Sequence, residues 1–307
     1  MNKIYKNKMI EWGKIIFVIL GAFFINIICN VLFSQIYKYV YIMLNNKANI
    51  NLDQIDMLLT KSPLFLMVLS ISNIIVIFFV VKIAKKFGVE IVDNLKIKKD
   101  IKTFIVWIVI AFINMIAFAS LGMKMNLFDY AGETYSEFTT RTVIEFVISG
   151  LAYSIISGFC EEVIHRGYIL NRLKQISPKY ALVISSFIFM ISEVLGTQFR
   201  IIDFVGVFLA GIFFGYLYLS TSSIFAGAGF HSGVHFALLM VTKFQDIPIY
   251  QGPVFSMFNS HVDIVIGNVN IGSSYGITTA VINLICIVLF YLYNRCAKYI
   301  TSTSINA

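Results

Sequence analysis

Residues 146–168 read FVISGLAYSIISGFCEEVIHRGY, and the rest of the chain is read outward from them. Phe146 to Cys160 is an apolar run without a charged residue, and Glu161, Glu162, His165 and Arg166 follow it directly. If the run crosses a bilayer, the two carboxylates sit at or just inside its boundary. An ionisable group there is costly unless it is paired or used, so the pair is a functional hypothesis in its own right.

The chain as a whole supports the membrane reading. It has 307 residues, 58% of them hydrophobic and 13% charged, with a mean hydropathy of +0.82. Soluble domains carry about 25% charged residues, so the expectation is an integral membrane protein with one membrane domain, 1–307. The net charge of +8 does not call for nucleic acid, because the lysines cluster beside apolar segments as a positive-inside bias requires. The expected partners are the lipid bilayer and a peptide or membrane-protein substrate. Cys29, Cys160, Cys286 and Cys296 lie within or at the ends of apolar segments and form no CxxC pair. They read as buried free thiols.

An all-α polytopic bundle of about eight transmembrane helices is predicted, since about 20 residues cross the hydrocarbon core. The spans fall near Ile15–Phe33, Pro63–Val81, Thr103–Gly122, Thr142–Cys160, Tyr180–Phe199, Asp203–Leu219, Ser223–Val241 and Tyr275–Tyr293. Lys82 to Lys102 holds seven lysines, and Val163 to Lys179 adds Arg166, Arg172, Lys174 and Lys179. Both connections then share the side of the N-terminus, which predicts a plasma-membrane protein with both termini cytoplasmic.

Several polar residues share the predicted membrane interior. Glu193 lies deep in the fifth span, and His231 and His235 sit one turn apart in the seventh, on one helix face. By helical rise these three fall roughly 13–20 Å from the cytoplasmic ends, deeper than Glu161. Glu162 and Arg166 are at i,i+4 with the acid first, the favourable order for an ion pair. Glu161 points about 100° away, and its i+4 neighbour is His165. A carboxylate without a fixed cation suits a general base acting on water. The blander readings are a plain interfacial salt bridge for Glu162–Arg166 and packing roles for the histidines. His165 reads as a wet helix face and His261 as an outer-loop residue. Asn26, Asn30 and Glu145 read as interhelical contacts.

At these residues the sequence resembles the CAAX-protease and bacteriocin-processing (CPBP, or Abi) family of intramembrane glutamic endopeptidases. Its EExxxR motif is matched by Glu161, Glu162 and Arg166. Its FxxxH motif aligns with Phe189–Glu193, with Glu193 in the place of His. Its HxxxN or HxxxD motif aligns with His231–His235, with His235 in the last place. The resemblance covers a core of residues 145–242. It implies a helical bundle with a water-filled cavity opening to the cytosol and no cofactor. Carried over, Glu161 is the base on water, Glu162 and Arg166 support it, and His231 donates to the oxyanion. Glu193 and His235 complete the catalytic set.

The two departures leave alternatives open. Glu193 beside Glu161 could share a proton with it. His231, His235, Glu193 and Glu161 could instead bind zinc, because His at i,i+4 is the zincin spacing, although the Glu of H-E-x-x-H is absent. A non-catalytic relative, such as a membrane immunity or regulatory protein that binds another membrane protein, is the rival outside enzymology. A proton-relaying transporter is a further one, but the chain shows no inverted repeat.

Overall fold

The computed structural model describes residues 3–44, 63–91, 97–126, 129–130, 139–194, 200–241, 258–259, 263–266 and 269–304. Its architecture is helical. The helices are α1 (Lys3–Leu44), α2 (Pro63–Lys86), α3 (Ile97–Lys124), α4 (Thr140–Glu162), α5 (Asn171–Ile176), α6 (Ala181–Val194), α7 (Ile201–Thr221), α8 (Ile224–Val241) and α9 (Ser274–Ser304). A π-helical segment, Val163–Leu170, joins α4 to α5 without a break. Two small antiparallel strand pairs accompany the bundle. β1 (Asp129–Tyr130) pairs with β2 (Phe258–Asn259), and β3 (Asp263–Ile266) with β4 (Val269–Ser273).

Every span expected from the sequence falls on one of these helices, except that residues 195–199 lie outside the described residues, as does His261. Among the described residues, five stretches are long and apolar enough to cross a membrane: Lys8–Leu44, Leu64–Lys86, Asp100–Lys124, Val143–Ile176 and Ile201–Thr221. Ala181–Val194, Ile224–Met240 and Thr279–Arg295 are apolar but shorter. Length and composition thus qualify five helices, where the sequence reading expects eight. The outer faces carry large apolar side chains in the open, such as Phe24, Phe78, Ile113 and Leu289. So much exposed apolar surface belongs against lipid, and the chain is an integral membrane protein.

α8 is the hub. It packs against both α3 and α4, while α7 lies between α6 and α9. Lipid gives no hydrophobic drive for helices to associate, so small residues that admit close backbone approach hold such a bundle together. Gly229 and Gly233 of α8 face α3, where a Cβ on Gly233 would come within 2.6 Å of the Ile108 carbonyl oxygen and one on Gly229 would strike that of Phe104. On the α4 side, a Cβ on Gly158 would lie 2.7 Å from the Ser232 backbone nitrogen. α8 is thereby gripped from two directions, with His231 between its two contact glycines.

Polar contacts elsewhere settle smaller questions. Asn26 donates to Asn73 at 3.0 Å, and Asn30 donates to Asn26 at 2.8 Å, tying α1 to α2. Among the described residues Glu145 pairs with Arg141 on its own helix, at 2.7 Å, in place of the interhelical contact expected. Val163 to Lys179 is an exposed basic connection only in part, at Lys174 and Lys179. Arg166 and Arg172 are buried, and Arg172 reaches Glu11 of α1 at 2.5 Å. The chain continues as helix there, so these arginines turn inward to acidic partners instead of facing lipid headgroups.

Gly229→Leu should destabilise the fold by about 1–3 kcal/mol, because a backbone carbonyl cannot swing out of the way of an added side chain. Gly13→Ala, where an added Cβ meets nothing within 4 Å, should leave the melt unchanged or slightly raised. Thermal unfolding of the two variants in detergent checks the contrast.

Candidate active site

Four elements deliver the polar residues to one place. The α4 end brings Glu161 and Glu162, and the π-helical segment brings His165 and Arg166. α6 contributes Glu193 and α8 contributes His231 and His235. π-helical turns appear mostly as local insertions at functional sites. Here the segment begins directly after Glu162, and nearly all of its residues are buried, Arg166 and His165 included. The helix continues past Glu161 to Ile176, and the segment is buried nearly all round because α2, α6, α7 and α8 pack against it.

The ion pair read from the i,i+4 spacing is present and deeply buried. Arg166 Nη1 donates to Glu162 Oε1 at 2.7 Å, with the two side chains 1% and 0% exposed. A second guanidinium nitrogen donates to the Gly211 carbonyl at 3.1 Å. The guanidinium also lies over the rings of Phe189 (4.6 Å) and Phe214 (5.1 Å), a favourable arrangement for a desolvated cation. Gly227 makes room for the acid: a Cβ there would come 2.6 Å from Glu162 Oε2.

His231 bridges the two carboxylates that the sequence reading separated. Its Nδ1 lies 3.2 Å from Glu162 Oε1 and its Nε2 lies 3.1 Å from Glu161 Oε2. Its ring stacks on Phe214, with centroids 4.6 Å apart and planes within 17°. Glu161 therefore has an imidazole partner from another helix, which its own i+4 neighbour could not reveal. Glu161 also accepts from Ser157 at 3.2 Å. The His235 ring sits 4.5 Å from the His231 ring, and its Nδ1 is buried without a hydrogen-bond partner. One cluster thus unites Glu161, Glu162, Arg166, Glu193, His231 and His235. The residues meet because α4 packs alongside α8.

The cluster borders a cavity of about 330 Å³ lined by Glu193, His231, His235, Phe189, Asn114 and Asn283, among others. That size lies at the small end of ligand sites, which are mainly apolar with a few convergent polar groups. His165 is not a wet surface residue. It is buried, with Nε2 3.2 Å from Ser192 Oγ and its ring edge-on to Phe189. Phe214 and Gly227 were not legible as site residues. Phe189 and Phe214 lie one motif position or one helix away from the charges, and only packing shows what they cover. Glu161, His231 and His235 each offer a ligand atom, all within 4.8 Å of one another.

Removing one member of a buried ion pair leaves the other charge uncompensated, at a cost of about 3–5 kcal/mol. Arg166→Met should lose that much stability, while Glu162→Gln with Arg166→Met should recover most of it. A double-mutant cycle from thermal unfolding in detergent measures the coupling.

Residues 143–237 match the family model described as type II CAAX prenyl endopeptidase Rce1-like. No curated protein and no solved structure matches the chain. The matched segment contains every member of the polar cluster, and its EExxxR motif, Glu161–Arg166, is the one whose buried ion pair holds the site together. Over this segment the chain is similar to the type II CAAX prenyl endopeptidase Rce1-like family.

Proposed function

We propose that the protein is an intramembrane endopeptidase that hydrolyses a peptide bond of a membrane-associated protein or peptide, without a metal, and with Glu161 as general base on water. The observation that carries this reading is the placement of Glu161. Its Oε2 faces His231 Nε2 at 3.1 Å, and His231 lines the cavity together with Glu193 and His235. A base so placed can reach a water held at the cavity wall.

In the proposed sequence Glu161 takes a proton from water as the water oxygen bonds to the scissile carbonyl carbon. The carbonyl π electrons move to oxygen, which needs a preorganised donor. His235 is better placed for that task than His231, because both nitrogens of His231 face carboxylates whereas Nδ1 of His235 has no partner. The C–N bond then breaks, and Glu161 passes its proton to the leaving amine. Glu193 shares a proton with Glu161 between steps. Glu162 and Arg166 hold His231, and through it the orientation of Glu161.

The substrate class follows from the setting: a segment presented at the membrane. The family description points to prenylated C-terminal peptides as the first probes. Eight apolar helices crossing the membrane, with both termini cytoplasmic, would place the Lys82–Lys102 stretch and the α4–α5 end on the same side.

Glu161→Gln should lower cleavage by at least about 100-fold, the lower range of a general-base contribution, while the protein stays folded in the membrane. The measurement is cleavage of a panel of prenylated and unprenylated peptides by protein in liposomes. A variant that retains full activity ends the reading of Glu161 as the base, and a wild-type protein that cleaves no peptide of the panel favours a non-catalytic binding protein. A reporter fused after Ala307, functional only in the cytoplasm, should be active; an inactive fusion reverses the proposed orientation.

A further inference from the structure

Three carboxylates, Glu161, Glu162 and Glu193, stand in one cluster with the guanidinium of Arg166, which pairs with Glu162 at 2.7 Å. With neutral imidazoles the group is short of two positive charges. Two protons can supply them, and so can one divalent cation. The donor atoms suit the second alternative unusually well.

His231 and His235 project from one face of α8, and their rings lie 4.5 Å apart. Glu161 comes from α4, and one ligand atom from each of the three residues lies within 4.8 Å of the others. Tetrahedral ligands about 2 Å from a zinc ion stand roughly 3.4 Å apart, so side-chain adjustments on the order of 1 Å would close the set. Glu162 Oε1 at 3.2 Å from His231 Nδ1 is the carboxylate partner that fixes a ligating histidine and leaves Nε2 to the metal. That Nε2 faces Glu161 Oε2. His235 Nδ1 is buried with no hydrogen-bond partner, and the cavity beside both histidines offers an entry path. Two imidazoles and a carboxylate suit zinc, and cobalt as its spectroscopic stand-in, over magnesium or calcium.

We infer that Glu161, His231 and His235 form a binding site for a divalent cation of the zinc class, and that its occupancy switches the enzyme off. The second half rests on the proposed peptidase function. A cation on Glu161 Oε2 takes the lone pair that would accept the proton of water, so metal and catalytic water compete for one atom.

The test uses the full chain in detergent, with any affinity tag removed, titrated with zinc and with cobalt. Wild-type protein should retain one zinc per chain after gel filtration. Its cobalt form should show the ligand-field absorption of a low-coordinate nitrogen–oxygen site. His235→Asn and Glu161→Gln should each weaken zinc binding at least about 100-fold, more than the loss of an outer hydrogen-bond partner typically costs. Cys29→Ser, on α1, should bind as wild type. No retained zinc, a spectrum of the hexaaqua ion, or unchanged affinity in both variants overturns the site; the wild-type spectrum decides even if a variant fails to fold. Zinc should lower peptide cleavage by wild type, and a chelator should restore it. Metal bound at the three residues with cleavage unaffected overturns the switch. Metal bound with no peptide cleaved under any condition leaves the site standing and ends the peptidase reading instead.

Discussion

The buried ion pair between Glu162 and Arg166 is the constraint on which the rest of the site depends. Both groups are almost wholly removed from solvent, so neither can be left without its partner. The arginine is held from three sides: the carboxylate, the Gly211 carbonyl and the faces of Phe189 and Phe214. Those contacts draw α6, α7 and the α4 end around one point. His231 then comes in from α8 and uses Glu162 as its anchor. Glu161 is oriented in turn through His231.

Glycine makes that convergence possible. In lipid the helices gain little from burying apolar surface against one another, and close van der Waals approach takes over as the source of association. Gly229 and Gly233 seat α8 on α3, Gly158 seats it on α4, and Gly227 opens the space that Glu162 fills. A single helix thus combines a gripping face with a face that presents two histidines. The rigidity required for preorganised chemistry comes from the same residues that hold the fold.

The departures at positions 193 and 235 acquire a physical meaning from this geometry. An acid at 193 would repel Glu161 if both were ionised, and Glu193 lines the same cavity as His231, the partner of Glu161. A proton between them resolves the conflict. Histidine at 235 puts an unpartnered nitrogen at the wall of the cavity. The same nitrogen serves as an oxyanion donor in one reading and a metal ligand in the other, so the site's behaviour depends on which positive species enters it.

Sequence by itself determined the membrane character, the apolar helices, the Glu162–Arg166 pair and the six residues of the cluster. Each of these is carried by local periodicity, by i,i+4 spacing or by short motifs on successive spans, which are one-dimensional signals. The tertiary structure alone decided the partners of Glu161, the burial of His165, Arg166 and Arg172, and the roles of Phe214 and Gly227. The i+4 position suggested His165 as the neighbour of Glu161, but the true neighbour is His231, seventy positions on. Arg172 looked like a surface cation until Glu11 was seen beside it. A helical repeat reports which side chains share a face of one helix. It carries no information on which face of another helix will meet them, and in a bundle held by close backbone contact that choice is made by the glycines.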